Sequence, residues 1–215
     1  KSGAVGLWQF MENSISGFLT KNSWIDERKD PWLSTEAAIK KLKENYTYFG
    51  DWALALAAYN MGLGGLSRII KNTGCKTFWE LANGGYLKTE TTHYVPKFLA
   101  IADLITNAEY YGLNLPAYNP EKSYQTDTVE LKFQVSLEQL SQASKVSVKT
   151  LQTLSPGLLY SVTPYTNSYN LRVLTSDKEK IQTALSTLKP LDANIYTVVK
   201  GDTLWLYTGC DFAGN

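Results

Sequence analysis

The stretch that most restricts how this chain can fold is Trp52 to Tyr59, WALALAAY. It is apolar almost all round, so as a helix it has no face to offer to water and must lie at the centre of a domain, with other elements packed about it. Its surroundings supply them. After Pro31, Ser34 is a good N-cap for a helix whose apolar positions Ile39, Leu42, Tyr46 and Phe49 recur at helical spacing, with Lys40, Lys41, Lys43 and Glu44 turned to solvent and Gly50 as the stop. WALALAAY itself ends at Asn60-Met61-Gly62. Leu66, Ile69 and Ile70 mark a further helix closed by Gly74, and Tyr94 to Tyr111 carries Phe98, Ile101, Ala102 and Ile105 on one face before Gly112. Pro96 sits near the start of that helix or kinks it. Residues 1–114 are therefore expected to form an α domain.

Residues 115–125 turn to Pro, Asn, Tyr and Ser, the composition of a linker. Beyond them the period changes from helical to alternating. Val129, Leu131, Phe133 and Val135 read as a strand; Leu137, Leu140 and Ala143, then Leu151 and Leu154, read as two short helices. Tyr169, Leu171 and Val173 alternate again, and Lys178 to Leu188 reads as one more helix. Residues 126–189 thus form a small α+β module. Pro190 to Asn194 is a second linker, Ile195 to Val199 a new strand, and 195–215 the start of another module. The fold class expected is mainly α, with a small α+β module behind a larger helical domain.

Composition removes several function classes. Lys and Arg number 21 against 20 Asp and Glu, so no strong net field draws nucleic acid or an anionic surface. Cys75 and Cys210 are far apart in unrelated contexts, which gives neither a disulfide framework nor a metal spacing and leaves two free thiols. His93 stands alone without a Ser or Cys motif and reads as a helix-surface residue. No run reaches the roughly 18 apolar residues of a membrane span, and Lys1-Ser2-Gly3 opens without a signal-peptide apolar region, so an export signal is expected either upstream or not at all. The 14 Tyr and 6 Trp fill a core and can also stack on sugar faces.

Three segments in order, GAVGLWQFM at Gly3 to Met11, ALAAYNMG at Ala55 to Gly62 and ETTHYVPK at Glu90 to Lys97, resemble the soluble-lytic-transglycosylase clan with its lysozyme-like fold. The intervening WIDERKDPWLSTEAAIKKL, Trp24 to Leu42, and FGDW, Phe49 to Trp52, look most like its membrane-bound lytic murein transglycosylase D branch. The likeness covers nearly all of residues 1–112. It implies cleavage of peptidoglycan between N-acetylmuramic acid and N-acetylglucosamine without metal or organic cofactor. One glutamate acts as acid and base, the substrate's N-acetyl group assists, and the muramic acid 6-hydroxyl attacks C1 to leave a 1,6-anhydro end.

The resemblance places that glutamate in an E-S-x-F motif upstream of GAxGLWQ, hence upstream of Lys1, so the chain as given is expected to lack catalysis. Glu12 stands where the family usually has proline and reads as a local substitution. Glu27, Glu36 and Glu44 read as solvated surface. Carried over residue by residue, Gln9 and Met11 line the glycan groove, and Tyr59 places its hydroxyl near acid and sugar. Asn60 offers its amide to structure or substrate, and Tyr94 lies close to the same groove. Gly3, Gly6 and Gly62 allow tight backbone approach.

The second part resembles the same branch. VSLEQLSQASKVSVKTLQTLSP, with Thr163-Pro164 and Tyr169 to Val173, looks like a degenerate LysM-like module, in which Ser155-Pro156 replaces the usual Asn-Pro. YTVVKGDTLW, Tyr196 to Trp205, is a clearer LysM opening, after which the pattern fails at Leu206 to Cys210, so the tail is expected to be an incomplete module. The implied partner is the peptidoglycan glycan strand and the implied compartment the bacterial envelope. A non-catalytic glycan-binding protein and a lysozyme-type hydrolase are the rival readings.

Overall fold

A computed structural model describes residues 3–117, 119, 123–165 and 168–203. Five helices make up the first part: α1 (Pro31–Phe49), α2 (Trp52–Met61), α3 (Leu63–Thr73), α4 (Phe78–Asn83) and α5 (Thr89–Thr106). Before them, residues 3–30 run as turns and two short 3-10 segments, Glu12–Ser14 and Glu27–Lys29. As its composition requires, α2 is central: it packs on α1, α3, α4 and α5, and Leu54 to Ala58 are buried without interruption.

Several boundaries differ from the sequence expectation. α1 begins at Pro31 rather than after Ser34. The Asp30 carboxylate accepts hydrogen bonds from the Trp32 and Leu33 amides, and Pro31 at the first helical position has no N–H to leave unsatisfied. Ser34 lies inside the helix, fully buried, with its hydroxyl unpartnered. The buried face of α1 is also not the expected one. Ser34, Ala37, Ala38 and Asn45 face inward, whereas Ile39 and Tyr46 are largely exposed and Leu42 and Phe49 only partly buried. Small side chains let α1 and α2 approach closely, and Asn45 donates its amide to the Ala55 carbonyl across that contact. Tyr46 stacks on Trp52 outside the core, ring centroids 4.3 Å apart.

α5 starts five residues earlier than expected and ends at Thr106, with Pro96 inside it. Its buried residues are Thr91 and Val95, while Phe98, Ile101 and Ile105 are exposed. α4 was not foreseen. Its Thr77–Glu80 capping box, in which each side chain takes the other's backbone N–H, supports a helix too short to show a period, and Phe78 and Leu81 are fully buried.

The second part is α+β. Strand β1 (Thr126–Leu131) pairs antiparallel with β2 (Tyr169–Leu174), with Val129 opposite Leu171. Between them lie α6 (Leu137–Ser144) and α7 (Val148–Leu154), capped by Ser136 and Ser147; α8 (Lys178–Thr187) follows β2. Val129, Leu131, Leu140, Leu151, Leu171 and Ile181 close one aliphatic core. β1 stops before Phe133 and Val135, and on α6 it is Ser144 that is buried, not Ala143. Ile195 to Val199 form no strand; a local turn forms in which Asp202 accepts from the Val199 amide and the Tyr196 hydroxyl. Residues 204–215 of the expected second module, Cys210 among them, lie outside the described residues.

The two parts interlock. The Asp26 amide donates to the Gly157 carbonyl at 2.8 Å and the Leu159 amide to the Trp24 carbonyl at 2.9 Å, forming a bridge between Ile25 and Leu158. Arg172 of β2 pairs with Asp30 at 2.6 Å, donates to the Leu154 carbonyl, and lies 4.4 Å over the Trp32 ring. Asp30 is thus both the cap of α1 and the anchor of the second part.

Candidate active site

Residues 3–11 carry the first of the segments singled out by sequence, and a buried arginine holds them in place. Arg28 forms a two-pronged pair with Asp26, at 2.8 and 2.7 Å, and donates a further nitrogen to the Gly3 and Phe10 carbonyls. That hydrogen-bonded guanidinium holds the Asp26 carboxyl below its ordinary range despite the opposing cost of burial. Gly6 passes so close that a Cβ there would lie 1.7 Å from the Arg28 carbonyl oxygen, and its φ of 79° is glycine territory as well. Tight approach is therefore the reason for Gly6. At Gly3 and Gly62 a Cβ would meet nothing within 4 Å, and their positive φ angles, 71° and 91°, are what call for glycine.

Gln9 follows in a left-handed conformation, φ 52°, that non-glycine residues adopt rarely and at some cost. Its side-chain amide donates back to the Gly6 carbonyl at 2.7 Å, which steadies the turn. Beside it the end of α2 brings Tyr59 and Asn60 against Met11, and these four residues share one groove of about 300 Å³. The structure thus joins positions that lie 50 residues apart in the chain.

Tyr59 is gripped by Trp8 and Phe10, both edge-on with ring centroids 6.4 and 5.9 Å away, and its hydroxyl donates to the Trp8 carbonyl at 3.0 Å. Burial, with a smaller contribution from Tyr94, raises its pKa well above the usual tyrosine value, so it is a phenol and not a base. With its proton committed to Trp8, the oxygen can still accept. Asn60 ties α2 to α5: its amide nitrogen donates to Glu90 at 3.1 Å and its oxygen accepts from Thr91 at 2.7 Å. Tyr94 does not line the groove. It packs on the α2 core, near enough to Tyr59 to contribute to the raised pKa of that phenol, and burial raises its own.

Asn13, Ser14 and Lys41 also line the groove and were not foreseen as site residues. Lys41 was expected to face water, but it follows Ala37 and Ala38 by helical steps of four and three and so shares their inward face; its ammonium lies 5.2 Å over Phe18. That spacing was the available signal. The carboxylates nearby have other partners: Glu12 pairs with Lys21 at 2.5 Å and Glu90 with Asn60, both at the surface. His93 is exposed, and Cys75 is a free thiol. Among the described residues no three His, Cys, Asp or Glu groups gather as a metal site, and no helix is long and apolar enough to cross a membrane.

Two family models match this chain. The model of the transglycosylase SLT domain matches residues 1–82, and that of the LysM-like domain of lytic transglycosylase MltD matches residues 125–190. Among individual proteins, the chain is similar to membrane-bound lytic murein transglycosylase D of Escherichia coli strain K12, 31% identical over 223 aligned residues that cover 94% of this chain and 48% of that protein. The same figures hold for the protein of that name from Escherichia coli O6:H1 strain CFT073. The chain spans about half the length of these curated relatives.

Proposed function

We propose that this polypeptide serves peptidoglycan lytic transglycosylation, cleavage of the bond between N-acetylmuramic acid and N-acetylglucosamine with formation of a 1,6-anhydromuramic end. The observation that carries this reading is the convergence of Gln9, Met11, Tyr59 and Asn60, drawn from two distant segments, on one groove. The substrate is the glycan strand, the setting the bacterial envelope, and no metal or organic cofactor takes part. Residues 1–114 supply the groove and 126–189 the LysM-like module.

In this reading the general acid is the glutamate of the E-S-x-F motif that precedes GAxGLWQ in the family. It protonates the leaving oxygen; the substrate's N-acetyl group supports the electron-poor C1; the muramic 6-hydroxyl attacks C1 and returns a proton to the carboxylate. Gln9 and Met11 bound the sugar, the Tyr59 oxygen accepts from a sugar hydroxyl while its proton stays on Trp8, and Tyr94 backs Tyr59. Glu12 and Glu90 lie exposed at the surface and are already engaged, with Lys21 and Asn60.

The test compares the 215-residue chain with a version extended upstream through E-S-x-F, each incubated with purified sacculi, with released fragments read by mass spectrometry. Anhydro-muropeptides from the extended protein alone are expected. Reducing ends in place of anhydro ends would make it a lysozyme-type hydrolase, and tight glycan binding with no cleavage by either version a binding protein. Anhydro products from the 215-residue chain would place the acid within it.

A further inference from the structure

The interlocked parts enclose a second concavity that is larger than the groove. It measures about 540 Å³, inside the roughly 300–1,000 Å³ range of small-molecule sites, and both parts wall it: Thr20, Asn22 and Trp24 from the first, Tyr165, Tyr169 and Asn170 from the second. The contacts that seat Gly157, Leu159 and Arg172 on residues 24–32 fix these walls relative to each other, so the cleft is formed before any ligand arrives.

Its chemistry is selective. The charged groups at its wall are already engaged: Asp30 holds Arg172 and caps α1, and a Glu27 oxygen takes the Thr20 amide at 2.6 Å. Several neutral groups are not. The Asn22 amide nitrogen, the Trp24 indole N–H, the Tyr169 hydroxyl and the Asn170 side chain make no hydrogen bond to protein among the described residues. Burial first, then the charges of Asp30 and Glu27, push the Tyr169 phenol up to about 12, so it keeps its proton and remains a donor. Aromatic rings interleaved with neutral donors, with every charge spoken for, suit an uncharged ligand rich in hydroxyl and acetamido acceptors. A peptide with free carboxylates would find no unpaired cation to meet them.

The cleft also adjoins the groove along the chain. Met11, Asn13 and Ser14 line the groove, Thr20 and Asn22 line the cleft, and the Glu12–Lys21 ion pair joins the ends of the segment between them. We propose that the interdomain cleft is a second saccharide subsite, which holds N-acetylated sugar units of the same strand that occupies the groove. This rests on the glycan-cleaving reading, and it gives the LysM-like module half of a binding site that neither part forms alone.

The test is a titration of the 215-residue protein with a β-1,4-linked N-acetylglucosamine tetrasaccharide, followed in nitrogen–proton NMR spectra by the Trp24 indole and the Gln9 side-chain amide. Saturable shifts at both are expected. Tyr165→Ala, at an exposed position, and Asn170→Ala should each weaken the Trp24 response roughly tenfold, the size of one lost ring or hydrogen-bond contact, and leave the Gln9 response in place. Circular dichroism confirms that each variant is folded. A response at Gln9 with none at Trp24 would overturn the second subsite and spare the groove. A Trp24 response unaltered in both variants would also overturn it, and silence at both probes would overturn the subsite and the glycan reading together.

Discussion

The two parts of this molecule are held together by different physics. The LysM-like module closes a single aliphatic core in which Leu137, Leu140, Leu151, Leu171, Val173 and Ile181 are fully buried, around a two-stranded sheet and three helices. The first part divides its apolar residues between a cluster around α2 and a separate one around Phe10, Ile15, Ala37 and Ala38. It also leaves Trp52, Phe98, Ile101 and Ile105 exposed. Where its apolar packing is thin, polar clamps take over: Asp26–Arg28, Asn45 to Ala55, and Asn60 between Glu90 and Thr91. An interior that only has to hold the fold can be closed with leucines. A surface that must present Gln9 in a left-handed turn needs directional bonds, because apolar contact does not specify orientation.

The sharpest attempt to break this contrast is Gly6→Ala. The new methyl would meet a backbone oxygen at 1.7 Å and the φ of 79° would oppose it too, so the 3–11 segment could not seat on residue 28. A loss of more than about 4 kcal/mol in denaturant unfolding is expected, in the range reserved for specific disruptions. A variant with parental stability would mean that the segment does not approach Arg28 in solution.

Arg28→Ala comes next. It leaves Asp26 buried without its partner, a change that typically costs ~3–5 kcal/mol. The pair also has a pH signature. Because the folded pKa of Asp26 is depressed, its contribution is present above the unfolded value of ~3.9 and is lost as pH falls through the folded value. The parent should therefore lose stability more steeply than Arg28→Ala on acidification below about pH 4. Identical acid profiles would remove the clamp from the account. For the aliphatic side of the comparison, Leu151→Ala should cost ~2–5 kcal/mol, with no such acid dependence.

Arg172→Ala tests the seam between the two parts. Its bonds to Asp30 and Leu154 are charge-assisted and partly buried, so ~1.5–3 kcal/mol is expected. Arg172→Lys should recover little, since an ammonium cannot both pair with Asp30 and lie flat on Trp32. Full recovery by lysine would mean that charge alone holds the seam.

How much of this was legible in the sequence follows the same division. WALALAAY announced a central helix because nothing else can accommodate a segment apolar on every side, and the alternation in 129–131 and 169–173 announced two strands because each has one buried face. The inward face of α1 was not legible, since Ala37, Ala38 and Asn45 give no hydrophobic period and Ile39 and Tyr46 gave a false one. The resemblance pointed to Gln9, Met11, Tyr59 and Asn60, which the structure gathers at one groove, but Asn13 and Ser14 belong to no motif, and Lys41 shows itself only through its helical spacing from Ala37 and Ala38. Arg28 was hidden for a related reason. Within DERKD it reads as one charge among five, and only the fold reveals that its partner is two residues back and its work is done at Gly3 and Phe10.

The smallest expected effect concerns α5. Phe98, Ile101 and Ile105 recur at helical spacing, which predicted a buried face, yet Ile101 and Ile105 are 57% and 58% exposed. Ile101→Glu with Ile105→Lys, opposite charges four residues apart on one exposed helix face, should therefore change unfolding free energy by no more than ~0.5 kcal/mol. The same pair should reduce binding of a hydrophobic dye to the native protein, because it breaks the apolar run that distinguishes this part from the closed module. Leu140→Glu, made in the module for comparison, should be ruinous, since it places a carboxylate in a fully buried site. A loss above about 1 kcal/mol in the α5 variant, far outside the range of ordinary surface changes, would mean that something covers this helix in the folded protein. Dependence of that loss on protein concentration would identify the cover as a second copy of the chain. The first part would then have an apolar face as fully satisfied as the module's core, and the contrast between clamped and closed would shrink to the groove segment alone.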